Sequence, residues 1–175
     1  LELIVTLQIA PGTVVSEAAL SKRLGIGRTP IREALQQLAR ERLVTVLPRR
    51  GIMVSEVNVR TQLRLLEARR ELERLIASRA ARRASDAERR RYREIAEGME
   101  EAARKNDDIG FLRLEHEFNS LNIAPSRNEF AAGAMALMAG LSRRFWFIHH
   151  KEVADLPVTA RLHADIARAI AKGDE

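Results

Sequence analysis

The residues best placed to do chemistry are arginines. Arg28 and Arg32 stand four apart in Arg28-Thr29-Pro30-Ile31-Arg32, so on a helix both side chains project from one side, one turn apart. A guanidinium fork bonds guanine O6 and N7 together, which suits such a pair to reading base edges in the major groove of DNA. Thr29 and the free amides of the helix start are placed to hold a phosphate. Pro48-Arg49-Arg50-Gly51 sets two further cations at a turn, where they would lie along the sugar-phosphate backbone or enter the minor groove. From Ala18 to Gly51, Lys and Arg number eight against two Glu, an excess equal to the +6 of the whole chain. A cluster of that density suits a polyanion, because each neutralised phosphate releases condensed counterions. Taken alone, it is also what a solvated basic helix face would show.

Positioning these cations requires particular elements. Leu3, Ile4 and Leu7 have helical spacing and end at Pro11-Gly12, predicting a short first helix. Ser16 is an N-cap with Glu17 in the first turn, and Leu20 and Leu24 give a second helix its apolar pair. Gly25-Ile26-Gly27 breaks that helix tightly. Thr29 is then expected to cap a third helix, with Pro30 at its first position and Ile31, Leu35 and Leu38 as its buried stripe. Helix, glycine turn, helix is the outline of a helix-turn-helix. After Leu43 the period becomes extended, with Val44, Val46, Ile52 and Val54 alternating around residues 48–51; this predicts a β-hairpin, placed where a wing belongs.

Residues 11 to 54, PGTVVSEAALSKRLGIGRTPIREALQQLARERLVTVLPRRGIMV, resemble the DNA-binding domain of GntR-type regulators. That family's pattern runs PG-x-x-L-S-E-x-x-L-A-x-x-L-x-V-S-R-T-P-V-R-E-A-L, then GLV and a wing with R-G. The resemblance implies that Arg28, Thr29 and Arg32 contact an operator, assisted by Arg49, Arg50 and Gly51 of the wing. Four positions depart from it. Val15 replaces a leucine, Gly27 a serine, Arg42 a glycine, and Ala18 stands where several members carry a further DNA-contacting arginine.

The rest of the chain reads as helices. Val59 to Ala84 is charge-laced, without glycine or proline, and Leu65, Leu72 and Ile76 mark one stripe. Ser85 and Glu88 form a capping box for the next helix, on which Tyr92, Ile95, Ala96 and Met99 face inward until Lys105-Asn106-Asp107-Asp108. Phe111, Leu114, Phe118 and Leu121 define a third helix closed near Pro125. Phe130, Leu137, Met138, Leu141 and Phe145 mark a fourth, and Val158, Leu162, Ile166 and Ile170 a fifth ended by Gly173. Phe145-Trp146-Phe147 reads as core. Five apolar stripes must pack together, which predicts an antiparallel bundle with room for a pocket between facing helices. The fold class is thus mainly α: a winged helix-turn-helix with a small β-hairpin over residues 1–57, and an all-α antiparallel bundle over 58–175.

This half resembles the FCD effector domain of the FadR branch of GntR regulators, which implies that residues 58–175 are an effector-binding and dimerisation domain. Glu67-Ala68-Arg69-Arg70-Glu71-Leu72-Glu73 looks like its opening E-x-R-x-x-L-E, Glu115 to Asn119 like its D-x-x-F-H helix, and Arg161-Leu162-His163 to Gly173-Asp174 like its E-H-x-x-I-x-x-A-I-x-x-G-D segment. The resemblance implies a divalent metal bound through Glu115, Asn119 and His163. Two of those positions differ from the family's aspartate and histidine, and an amide is a poor ligand for zinc or nickel. A buried hydrogen-bond network, a metal site and a metal-free ligand pocket are therefore all open. The family's effectors are commonly small organic acids, which Arg69 and Arg70 would grip by paired hydrogen bonds if turned inward. Surface salt bridges with Glu73 or Glu67 are the competing use. His116, His149 and His150 have no assigned role.

Zero cysteines exclude disulfides, thiolate metal sites and cysteine nucleophiles. No apolar run reaches the length of a membrane span and no secretion signal opens the chain, so a cytoplasmic protein is expected. The expected function is a homodimeric transcriptional regulator, usually a repressor in this family, that binds double-stranded operator DNA under control of a small-molecule effector. An effector-independent dimeric regulator is the first alternative. A metal-dependent hydrolase tethered by a basic module is the second, against which stand the lack of a nucleophile motif and of an H-E-x-x-H pair.

Overall fold

The computed structural model describes residues 1–153 and 155–175, without the side chains of Asp108 and 150–153. Among the described residues there are eight helices and three strands. In chain order they are α1 (Glu2–Val5), β1 (Val14–Val15), α2 (Glu17–Leu24), α3 (Arg28–Arg40), β2 (Val44–Leu47), β3 (Gly51–Val54), α4 (Val59–Arg83), α5 (Asp86–Arg104), α6 (Asp108–Ser126), α7 (Glu129–Val153) and α8 (Leu156–Lys172). The residues pack as two units, one of Leu1–Ala68 with Ala134–Lys151 and one of Arg69–Gly133 with Glu152–Glu175. The sequence places the boundary at 57/58, whereas by packing the residues up to Ala68 group with the basic module. By packing, the 134–151 part of α7 groups with the basic module.

In the first unit, Ile4, Ile9, Leu20, Ile31, Leu35, Leu38, Leu43, Val44, Ile52 and Val54 form one core. Ser16 caps α2, its side chain accepting from the Ala19 amide. Gly25 closes that helix in the left-handed region, which a side chain would strain. The third helix starts earlier than its sequence suggests. Gly27 is its N-cap and makes no side-chain bond, so Thr29 and Pro30 lie inside the first turn. Proline is harmless there because first-turn amides have no intrahelical acceptor. The C-terminus of α3 closes with the Leu43 amide on the Leu38 carbonyl and the Arg42 amide on Ala39, the double bond of a Schellman motif. Its left-handed residue is Arg42, at φ 59°, where the family pattern has glycine.

The hairpin is antiparallel, pairing Val44 with Val54 and Leu47 with Gly51, and β1 adds to the far side of β3. This extra strand of two residues has no sequence signature. At the tip the Arg50 amide bonds the Leu47 carbonyl, with Pro48 in second place and Arg49 at φ 62°, the pattern of a type II turn. Gly51 is needed sterically, since a Cβ there would lie 2.7 Å from the Val15 carbonyl oxygen.

The 134–151 segment joins this unit through close contacts. Gly140 is buried, and a Cβ on it would come within 2.5 Å of a methyl of Leu43. Leu141 packs against the core. Arg143 pairs with Glu2. Arg144, only 2% exposed, donates to the Ser55 carbonyl at 2.8 Å, while the Ser55 amide bonds Leu43. Burial pushes the Arg144 guanidinium down and the nearby Glu56 opposes that shift.

In the second unit α5 carries the core: Tyr92, Ile95, Ala96 and Met99 are fully buried, packed against α6 and α8. The Ser85–Glu88 capping box forms in both directions. On α8 the buried face is Ala160, Ala164, Ala167, Ile170 and Ala171. The expected stripe is corrected there, because Val158, Leu162 and Ile166 are 42%, 54% and 46% exposed. Small alanines allow two helices to approach closely, so size as well as polarity selects the packed face. Phe130 and Leu137, expected inside α7, are likewise exposed.

Candidate nucleic-acid interface

Arg28, Thr29 and Arg32 are all exposed on the N-terminal end of α3, whose opposite face buries Ile31, Leu35 and Leu38. Burial of those three at spacings of four and three fixes the helix rotation and turns the arginines outward. The two guanidiniums differ in environment. The Arg28 side chain makes no hydrogen bond among the described residues and acts on Glu17 as a nearby charge. Arg32 is held by Glu17 of α2: its Nε donates to Oε1 at 3.0 Å and Oε2 at 3.2 Å, and its Nη2 to Oε2 at 3.0 Å. That bonding keeps the Glu17 carboxyl below the usual range, the Arg32 hydrogen bond outweighing the opposing desolvation, and raises Arg32 in turn.

The wing tip supplies the second group. Arg49 and Arg50 are exposed, and neither side chain makes an ion pair or hydrogen bond among the described residues. Exposed cations at a hairpin tip and at an exposed helix start, within one unit, are groups that duplex DNA can satisfy, with base edges for the helix and phosphates for the wing. Glu17 was missed by sequence reasoning as a partner of Arg32; the two lie 15 residues apart on different helices, and no local spacing marks such a pair.

The candidate effector residues lie in the second unit and are not all brought together. His163 Nδ1 donates to the Thr159 carbonyl at 2.9 Å, which leaves Nε2 facing Glu115 Oε1 at 3.9 Å. The edges of Phe111 and Phe118 flank the imidazole, with ring centres 5.9 and 6.2 Å away. Asn119 is exposed, and Asn122, one turn on, is buried with its Oδ1 unbonded. Arg69 is mostly buried and pairs with Glu73, its Nε left without a partner. Arg70 is 74% exposed and pairs with Glu71 at 3.0 Å. One imidazole, one carboxylate and an exposed amide do not match a zinc-like ion. Among the described residues no group of three His, Cys, Asp or Glu converges for a metal. His116 is exposed, and the His150 side chain lies outside the described residues.

Comparison with known proteins settles the class. The FCD domain model matches residues 64–175 and the model of bacterial regulatory proteins of the gntR family matches residues 1–54. The chain belongs to the GntR family. The FCD half is that of its FadR branch. A GntR regulator of this kind is a DNA-binding transcriptional regulator, and the matched families and relatives are regulators rather than enzymes. The HTH-type transcriptional repressor RspR of Escherichia coli K12 is 26% identical over 95% of this chain and 73% of its own length. An HTH-type regulator in an unstable DNA locus of Streptomyces ambofaciens is 46% identical over 57 residues, 33% of this chain and 24% of that protein. Among solved structures, E. coli McbR/YncC shares the fold at a TM-score of 0.74 and 19% identity, over 98% of this chain and 84% of its own. This GntR chain thus keeps the family fold while departing from its pattern at Arg42, Gly27 and Ala18. Among the described residues no helix is long and apolar enough to cross a membrane.

Proposed function

We propose that this regulator is a cytoplasmic repressor that binds a short pseudo-palindromic operator as a homodimer. A single observation carries the DNA reading: two exposed guanidiniums one turn apart at the start of α3, together with a wing tip of two exposed arginines that have no partner among the described residues. The α3 end meets base edges through Arg28 and Arg32, with Thr29 beside a phosphate; Arg49, Arg50 and the Gly51 turn follow the backbone. Two-fold symmetry follows from economy, since one recognition helix reads only a few base pairs and a second copy multiplies the discrimination. Residues 58–175 serve as the effector-binding and dimerisation domain.

The effector proposed is a small organic acid. Its support is the mostly buried Arg69 with an unbonded Nε, and the Glu115–His163 pair, which stands 3.9 Å apart beside Phe111 and Phe118. If a cation sits at Glu115, Asn119 and His163, the donor set favours an oxygen-preferring ion. Effector binding alters operator affinity by favouring one conformation over another. Gel shift and footprinting on DNA upstream of the gene test the first claim: Arg28→Ala is expected to lose specific binding by about 1–3 kcal/mol, and unchanged footprints would remove the readout. A thermal-shift screen of small carboxylates with and without divalent ions tests the second; no shift with any of them leaves the effector-independent regulator.

A further inference from the structure

The bond from Arg32 to Glu17 is unlike the other arginine contacts of the basic module, because it spends one edge of a guanidinium that the proposed readout needs. The geometry says which edge. Glu17 takes the Nε–H and one N–H of Nη2, the side of the fork. An arginine has five N–H donors in a plane. Three remain, two on Nη1 and the outer one on Nη2, and they form the end-on fork that fits guanine O6 and N7. Arg32 stays 61% exposed and Glu17 29% exposed, so the carboxylate stands behind the guanidinium and leaves its end in solvent. The side chain is thereby fixed in direction, whereas Arg28 has no comparable brace.

We infer that Glu17 is a specificity-determining positioning residue, which locks Arg32 end-on toward a base edge and keeps it off the phosphates. This rests on the reading that α3 faces base edges. Two physical effects act together. Holding the fork in its bound geometry removes rotamer freedom that binding would otherwise have to freeze. The carboxylate also repels phosphate oxygens and neutralises Arg32 toward a diffuse anionic surface, so Arg32 contributes recognition of a fixed donor pattern more than general attraction. Glu17 also sits in the first turn of α2, where a carboxylate complements the helix N-terminus. Its oxygens are nonetheless both engaged by Arg32, 15 residues along the chain.

The two roles part in experiment. The full chain is used to select duplexes from a randomised library, and the enriched duplex and a scrambled one become the probes. Glu17→Gln keeps the size of the side chain and removes its charge. The expected result is opposite movement: affinity for the scrambled duplex rises and its log–log salt slope steepens by about one, while the selected-to-scrambled ratio falls roughly tenfold. In an Arg32→Ala background Glu17→Gln should change the ratio no further, and the melting temperature should move little in all three variants. If Arg32→Ala lowers the ratio but Glu17→Gln leaves it at the parent value, or weakens both probes in parallel with a lower melting temperature, Glu17 is only a structural residue and the inference falls. If no duplex is enriched, or Arg32→Ala keeps full discrimination, the base-edge reading itself falls and takes this one with it.

Discussion

Among the described residues, Arg28, Arg49 and Arg50 of the first unit are exposed with no hydrogen bonds from their side chains, whereas in the second unit Arg83, Arg89, Arg91 and Arg168 are each tied to named acceptors. Arg89 donates to the carbonyls of Ala81, Ala84, Ile170 and Ala171, the ends of α4 and α8 where helical carbonyls lack partners. Arg83 bonds the Ser126 carbonyl. Arg91 bridges Glu117 and Glu94, and Arg168 pairs with Glu100. One residue type thus serves two uses; exposure without a partner among the described residues is shared by Arg82, Arg90 and Arg113 of the second unit, so it is the place at a helix start and a wing turn that sets Arg28, Arg49 and Arg50 apart. An arginine left unpaired on a folded surface is free for an external anion; an arginine spread over helix ends is part of the fold.

The largest expected effect tests the second half of that contrast. Arg89→Ala strands carbonyls at two helix ends and should destabilise the second unit by about 2–3 kcal/mol, read by urea unfolding, with operator affinity of the folded protein unaltered; a melt equal to the parent's would break the distinction. Next come the wing cations. Arg49→Ala and Arg50→Ala should weaken all duplexes alike and each flatten the salt slope by about one, with no change in melting; a sequence-dependent loss would move the wing from backbone contact to base readout. Smaller still is Arg42→Gly, which relieves a left-handed residue at the end of α3 and should stabilise by about 0.5–1 kcal/mol after the extra chain entropy of glycine, seen as a higher melting temperature. Acid supplies the last test. Hydrogen bonds from Arg168 and Arg91 hold Glu100 and Glu117 below the usual carboxylate range, and the Ser85 backbone amide does the same for Glu88. Depressed carboxylates stabilise above the ordinary range and cease to do so as pH falls through their lowered values. In the first unit Glu17 alone among the shifted carboxylates has this property. Acid below the ordinary carboxylate range should therefore lower the helical unit's melting first, followed by circular dichroism across pH; the reverse order would contradict the assignment.

Local chemistry carried most of what the sequence made legible. The Ser16 cap, the Ser85–Glu88 box, the glycine stop at Gly173 and the hairpin around Arg49-Arg50 each depend on neighbours within a few residues, and each formed as its residues suggest. Thr29 failed as a cap because Gly27 can start the helix from an extended conformation, two residues earlier. Strand β1 is two residues long and shows no alternation. On α8 the bulky residues predict the packed face, but the helix meets its neighbours through alanines. For the candidate site, the outward arginines were legible from helical spacing. The brace from Glu17 and the tie from Arg144 to Ser55 join residues far apart in the chain, and only the fold brings them together.

That tie bears on how the protein can be dissected. A fragment cut after Val57 would keep Arg28, Arg32, Arg49 and Arg50 but lose the stretch of α7 that covers Leu43 and bonds the peptide leaving the wing. Leu43, now fully shielded, would meet water, and the Ser55 carbonyl would trade a guanidinium for solvent. The unit that holds these cations is therefore discontinuous in the chain, and grafting it onto another protein means carrying residues 134–151 from within the helical half as well.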